Sequence, residues 1–313
     1  MTISPADLAR FRADAADVDR SSAPLIVAVS GGPDSLALLL LAEAAWGGRV
    51  IAATVDHGLR TESAAEAAYV AQICAARGIV HAVLAPDAPI TGSLQAEARR
   101  ARYRLLETLR QSRGAAFILT AHHADDQAET LMMRLNRGAG VGGLAGIRAV
   151  NGAVIRPLLN WRRAALEAIV TQAGLGALRD PSNENPRFDR VRMRHHLAEA
   201  PWIDRAALAR SARHLADAEQ AIIWSVDQLE PTHLRREDGA VLITPDTLPP
   251  EILRRLVLRA VTLLRPEAAP SGPELDRALA AMLEGRQASL GTLLVRGGAV
   301  WRIWPAPARR AAN

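Results

Sequence analysis

A short apolar run, Leu25 to Val29, stops abruptly on Ser30-Gly31-Gly32-Pro33-Asp34-Ser35, and a leucine-rich stretch with helical character follows. Few local patterns constrain a fold more than a glycine-rich turn between a buried strand and a helix. Glycines at Gly31 and Gly32 let backbone N–H groups approach a ligand closely, and the helix N-terminus behind them favours an anion. The hydroxyls of Ser30 and Ser35 add donors. Asp34 would repel a bare phosphate, so it makes sense where a cation such as Mg²⁺ mediates, or where it orients the loop. The spacing is not GxGxxG, which argues against a dinucleotide fold of the dehydrogenase type. The simpler reading is a tight strand–helix turn capped by serine or aspartate.

The pattern around this turn repeats. Apolar runs at Val50–Val55, Ile79–Leu84 and Ala116–Thr120 alternate with helical stretches at Glu62–Arg77, Leu94–Arg113 and Asp125–Arg137. Such alternation predicts βαβ units, and short, nearly all-apolar strands suit a parallel sheet covered on both faces. The expected class is α/β, a Rossmann-like parallel sheet with helices on both faces. Arg137–Gly146 is a glycine-rich break, read either as a loop over a substrate or as a helix end followed by a linker. A long helix is expected over Asp204–Leu229. Beyond Pro231 the texture changes, with strands near Val241–Thr244, Gly291–Val295 and Ala299–Ile303 and helices near Glu251–Leu264 and Glu274–Leu283. The implied organisation is a catalytic domain over 1–200, a connecting helix over 201–230 and a small α+β domain over 231–313.

Composition excludes as much as it suggests. All 38 basic residues are arginine and the net charge is +5. Without lysine there is no Walker A loop and no Schiff-base lysine. Arginine suits bidentate phosphate binding, although base bias in a genome gives the same usage. No apolar run approaches the ~18 residues needed to span a bilayer. The single cysteine, Cys74, and an N-terminus without a signal pattern fit a cytoplasmic protein.

The string Ser30–Ser35 resembles the SGGxDS signature of the PP-loop ATP pyrophosphatases, which cleave ATP to AMP and pyrophosphate while adenylating a substrate. Further strings narrow this: Asp56-His57-Gly58-Leu59-Arg60, Glu97-Ala98-Arg99 with Arg102-Tyr103, Thr120 through Thr130 (TAHHADDQAET), Arg156-Pro157-Leu158-Leu159 and Asp180-Pro181-Ser182-Asn183. In this order they closely resemble the tRNA(Ile)-lysidine synthetase family, well over residues 25–200 and loosely in the tail. The resemblance implies ATP and Mg²⁺ as cofactors, with L-lysine and an isoleucine tRNA bearing a CAU anticodon as partners. It also implies a possible homodimer. The implied reaction adenylates the 2-oxygen of the wobble cytidine, and the lysine amine then displaces AMP.

The same resemblance implies nucleotide contacts from Ser30, Gly31, Gly32, Pro33, Asp34, Ser35, Asp56, His57, Arg99, Arg102 and His123, with Asp34 as the Mg²⁺ ligand. Catalytic roles fall to Asp34, Asp126, Glu129 and Arg194. Asp126 and Glu129 lie three apart, on one face of a helix's first turn. They could hold the α-amino group of free lysine and help deprotonate its side-chain amine, whose ordinary pKa is about 10.4. The same spacing also fits a helix capping box. His123 either lines the nucleotide pocket or packs, and adjacent histidines without an HExxH string do not suggest zinc. Arg99 and Arg102 share a helix face, where either could meet phosphates or both could be solvated. At Arg194 the sequence departs from the family, whose common Arg-Asn pair reads Arg190-Val191. Trp161, Trp202 and Trp224 read as packing residues. Arg235, Arg236, Arg254 and Arg255 are expected to grip tRNA phosphates.

Three rivals stand beside this reading. A PP-loop thiolase needs a cysteine pair or an iron–sulfur cluster, and Cys74 alone provides neither. An amide-forming PP-loop ligase and a non-catalytic nucleotide- or RNA-binding module are the others.

Overall fold

The computed structural model describes residues 3–56, 58, 63–86, 94–178 and 187–307. The chain divides into two compact units, Met1–Ala216 and Asp217–Asn313. Among the described residues no helix is long and apolar enough to cross a membrane.

The first unit is built on a six-stranded sheet. Its strands are β1 (Leu25–Ala28), β2 (Val50–Val55), β3 (Val80–Leu84), β4 (Phe117–Leu119), β5 (Val150–Asn151) and β6 (Val154–Ile155). The spatial order is β3-β2-β1-β4-β6-β5, parallel except for the terminal β5–β6 pair. The chain runs outward from β1 to β2 and β3, then returns to place β4 on the other side of β1. Right-handed crossovers then require the returning helix to lie on the opposite face.

That is what the core shows. Alternate residues of β1 serve two layers: Leu25 and Val27 are buried with Leu36, Leu39, Val70 and Ile73, and Ile26 and Ala28 with Leu106 and Leu109. The first layer is formed by α2 (Pro33–Trp46) and α3 (Ser63–Ala76), with α1 (Pro5–Asp14) and α7 (Arg163–Gln172) packed on α2. The second is formed by α4 (Leu94–Ser112). A strand buried on both faces has no polar side to show, which is why β1 reads as continuous apolar sequence. The fold class is α/β, a parallel-dominated sheet with helices on both faces.

Four further helices complete this part of the chain: α5 (Ala124–Leu135), α6 (Val141–Leu144), α8 (Asp189–Glu199) and the start of α9 (Arg205–His233). The glycine-rich break folds as the single turn α6. Arg134 of α5 holds it by donating to the carbonyls of Gly143 at 2.6 Å and Gly146 at 3.1 Å.

The second unit has five antiparallel strands in the order β7-β8-β11-β10-β9. These are β7 (Leu234–Glu237), β8 (Ala240–Ile243), β9 (Gln287–Leu290), β10 (Leu293–Arg296) and β11 (Trp301–Pro305). Helices α10 (Pro250–Leu264) and α11 (Gly272–Leu283) cover one face, burying Val241, Ile303 and Val295 against Leu256, Val257 and Met282.

Several expectations are corrected. Trp161 is fully buried, but Trp202 and Trp224 are 83% and 66% exposed and pack little. Three of the four tail arginines are engaged within the unit. Arg255 donates to both oxygens of the buried Glu219 at 2.7 Å, Arg254 pairs with Asp276, and Arg236 donates to the Leu263 carbonyl. Guanidinium groups satisfied in this way are poor candidates for phosphate contacts.

Candidate active site

In an open parallel sheet, ligands bind beyond the carboxyl ends of the strands where the strand order reverses. Here that crevice lies between β1 and β4. It receives the Ser30–Ser35 loop from one strand and Thr120–His123 with the start of α5 from the other.

The loop is held closed by its own serines. The Ser30 N–H donates to Ser35 Oγ at 3.1 Å, the two hydroxyls lie 3.2 Å apart, and Ser35 Oγ donates to the Gly32 carbonyl at 3.0 Å. Gly31 has φ +85°, a left-handed conformation that glycine adopts without strain. A Cβ there would also sit 2.7 Å from Leu178 Cδ1, because Leu178 lies across the loop with its N–H bonded to the Gly31 carbonyl at 3.0 Å. Pro33 opens α2 without a side-chain cap, so the positive end of the helix remains open to an anion.

Asp34 faces the second wall. Its Oδ2 lies 3.5 Å from Nε2 of the buried His123, while its Oδ1 is buried without any hydrogen-bond partner. A buried carboxylate oxygen left unpaired is costly, and a bound cation is one way to satisfy it.

His123 is the N-cap of α5, in a reciprocal box with Asp126: the His123 N–H donates to Asp126 Oδ2 at 3.0 Å, and the Asp126 N–H points at Nδ1 at 3.4 Å. The capping frame thus starts three residues earlier than the expected Asp126–Glu129 pairing. In the neutral ring, Nδ1 accepts this long bond and the proton sits on Nε2, facing Asp34. Burial alone would lower the His123 pKa, but the hydrogen bond to Asp34 and the charges of Asp126, Asp34 and Asp125 outweigh it and raise it. A doubly protonated ring gives up the weak 3.4 Å bond and faces Asp125 Oδ2 at 3.8 Å instead.

Glu129 is 3% exposed, one turn further along α5. Its two oxygens accept from Arg190 Nε and Arg194 Nε, each at 2.8 Å. Arg190 and Arg194 lie one turn apart on α8, so a single buried carboxylate clamps α8 to α5. Arg190 also reaches Asp126 Oδ1 at 3.3 Å. Burial pulls the Arg194 pKa down, but Glu129, then Asp126 and Asp34, raise it overall.

A cationic wall surrounds His122. Its pKa is lowered to about 2, first by burial and then by the charges of Arg156, Arg99, Arg190 and Arg102. The ring is neutral, with Nδ1 3.1 Å from Thr120 Oγ1. Arg156, 6% exposed at the end of β6, donates from Nη1 to the Arg148 carbonyl at 2.8 Å but leaves its buried Nε unpartnered. Arg99 lies over the Tyr103 ring at 5.1 Å. Burial lowers the Arg102 pKa.

The structure therefore gathers Asp34, His123, Asp126, Glu129 and Arg194 into one network and turns Arg99 and Arg102 toward its neighbour His122. Asp56 stands at the end of β2, its Oδ1 accepting from the Gly58 N–H at 2.8 Å, outside that network. His57 and the Asp180–Asn183 string lie outside the described residues. The sequence reading missed Arg190, whose i, i+4 spacing to Arg194 was the available signal. It also missed Asp125, which accepts from the Arg163 N–H at 2.9 Å and pairs with Arg162 at 3.2 Å and Arg205 at 3.4 Å.

Comparison with known proteins agrees with this arrangement. The PP-loop domain family matches residues 6–200. A tRNA(Ile)-lysidine synthase from Novosphingobium aromaticivorans is 46% identical, covering 96% of this chain and 94% of that protein. One from Zymomonas mobilis is 42% identical, covering 93% and 91%. Among solved structures, a U34-tRNA thiolase (NcsA) from Methanococcus maripaludis with its [4Fe-4S] cluster aligns with a TM-score of 0.57 at 16% identity, over 67% of this chain and 77% of that one. That likeness is one of fold. Identity at this level across nearly the whole length places the chain in the tRNA(Ile)-lysidine synthase family.

Proposed function

We propose that this protein is a cytoplasmic carbon–nitrogen ligase that uses ATP to join L-lysine to C2 of the wobble cytidine in a CAU-anticodon isoleucine tRNA, releasing AMP and pyrophosphate. The observation that carries the reading is the meeting of Asp34, His123, Asp126 and the Glu129–Arg194 pair across the β1/β4 crevice.

The Ser30–Ser35 loop and the open end of α2 receive the ATP phosphates. Asp34, with its orphaned Oδ1, fits a Mg²⁺ ligand. Among the described residues no three acidic, histidine or cysteine side chains could hold a metal by themselves, so the ion would share its coordination with phosphate oxygens, as Mg²⁺ commonly does. When bound, Mg²⁺ supplies positive charge against the pyrophosphate leaving group. Arg99, Arg102 and Arg156 add fixed positive charge on the same side, and His122 stays neutral among them.

Two bond exchanges follow. The cytidine O2 attacks the α-phosphorus and pyrophosphate departs. The lysine amine, after losing a proton, attacks C2, and the C–O bond to AMP breaks. Asp126 faces the crevice and meets the lysine ammonium group. Glu129 has both oxygens occupied, so its role is positioning: it sets Arg190 and Arg194 at the crevice rim.

The test is incorporation of labelled lysine into a CAU-anticodon tRNA(Ile) transcript with ATP and Mg²⁺. Incorporation lost in Asp126→Asn and on changing the wobble cytidine is expected. Absence of lysine transfer by the unaltered protein would sink the reading, and RNA-dependent AMP release without it would point to another nucleophile.

A further inference from the structure

The second unit carries a feature that the proposed reaction does not use. Its sheet is covered by α10 and α11 on one side only, and the register of the other side can be followed across all five strands. Arg235 pairs with Leu242, Leu242 with Arg302, Arg302 with Arg296, and Arg296 with Gln287. Residues directly opposite one another in antiparallel strands point to the same face. Arg235, Arg302 and Arg296 therefore stand in one row perpendicular to the strands, and all three are exposed. The alternate residues Val241, Ile303 and Val295 point to the helices and are fully buried.

With strands about 4.8 Å apart, this row spans roughly 14 Å from β7 to β10. Two residues further along β11, on the same face, lies the half-buried Trp304, with the Arg302 guanidinium 5.6 Å from its ring. Among the described residues Arg296 and Arg302 pair with no carboxylate, and Arg235 has only an exposed 3.4 Å contact to Glu237, which contributes little. Glu237 is the one acidic residue in these five strands.

A small anion would call for converging guanidinium groups. A straight, uncompensated row beside an aromatic ring matches an extended polyanion with stacking surfaces. We propose that this open sheet face binds the sugar–phosphate backbone of the tRNA substrate, with Arg296 and Arg302 on phosphates and Trp304 buttressing Arg302. The inference rests on the reading of the chain as a tRNA-modifying enzyme. It replaces the engaged arginines Arg236, Arg254 and Arg255 as the tail's RNA contacts.

The experiment compares the full-length protein with Arg296→Gln/Arg302→Gln, using Arg20→Gln as a charge-matched control. Steady-state lysine transfer and the salt dependence of tRNA binding are both measured. The double variant should raise KM for tRNA about tenfold, more than it lowers kcat, and reduce the slope of log affinity against log salt by about 1.4–1.8, from about 0.7–0.9 per phosphate contact. The control should match the unaltered protein. Unchanged KM and slope beside normal turnover would overturn the sheet-face proposal and leave the reaction standing. So would a shift in monomer–dimer equilibrium at unchanged tRNA affinity, since a second copy would then be the occupant. If the unaltered protein transfers no lysine, the reaction reading fails, and direct tRNA binding decides the face: a weakened double variant keeps it, an equal one removes it.

Discussion

His122 and His123 are neighbours in sequence, yet their rings titrate in opposite directions because one faces arginines and the other aspartates. His122, lowered to about 2, takes no proton in the folded state at a pH where the unfolded chain, with a pKa near 6.5, does. Stability should therefore fall as the pH drops below about 6.5, by up to about 1.4 kcal/mol per unit and less for the part of the ring that meets water. His123 is raised, so its contribution is full below about 6.5 and fades as the pH rises through the folded value. Urea midpoints across this range should show His122→Asn flattening the acid limb and His123→Asn steepening it. Unchanged profiles in both variants would contradict the electrostatics. At this scale Asp34 and Asp126 were legible in the sequence because their strings are dense and local. Asp125 and Arg190 were not, since their partners lie some 40 to 80 positions away and only folding brings them together.

The pairing of α5 with α8 is the element on which the crevice depends. Its hinge pin is a single carboxylate shared by two guanidinium groups, and Glu129→Gln keeps the shape while removing the charge. The loss should cost about 1–3 kcal/mol, moderated by the partial exposure of both arginines. It should also lower kcat by about 10²-fold, because side chains displaced by an ångström no longer meet the reacting atoms. Equilibrium unfolding and single-turnover lysine transfer check the two effects separately. A large kcat loss with full restoration by Arg194→Lys in the same variant would argue against a positioning role. The helices themselves were legible from periodicity, and α5 starts within a residue of expectation. The short strands were not. The two-residue β5 and β6 are too brief for any period, and β7 (LRRE) and β9 (QASL) are edge strands whose polar residues hide the alternation.

At the scale of the whole molecule, each unit has its own buried core, so damage to one should be separable from the other. Ile303 is fully buried in the second unit, and Ile303→Ala should lower that unit's stability by about 2–5 kcal/mol. Calorimetry should show one transition moving while KM for ATP stays constant, and a matching rise in KM for ATP would refute the separation. The α/β class of the first unit could be read from its alternation of buried strands and helices. The open, arginine-bearing face of the second could not, because register between strands 60 residues apart is a product of folding.

The cations that ring the crevice have one further consequence. Arg99, Arg102, Arg156, Arg190 and Arg194 are all guanidinium groups, and no side-chain primary amine exists anywhere in the chain. An activated cytidine held among them is an electrophile surrounded by positive charge too weakly nucleophilic to attack it. The walls can stabilise the intermediate without being consumed by it, so the amine delivered from solution meets no competition from the protein and the enzyme is spared labelling itself.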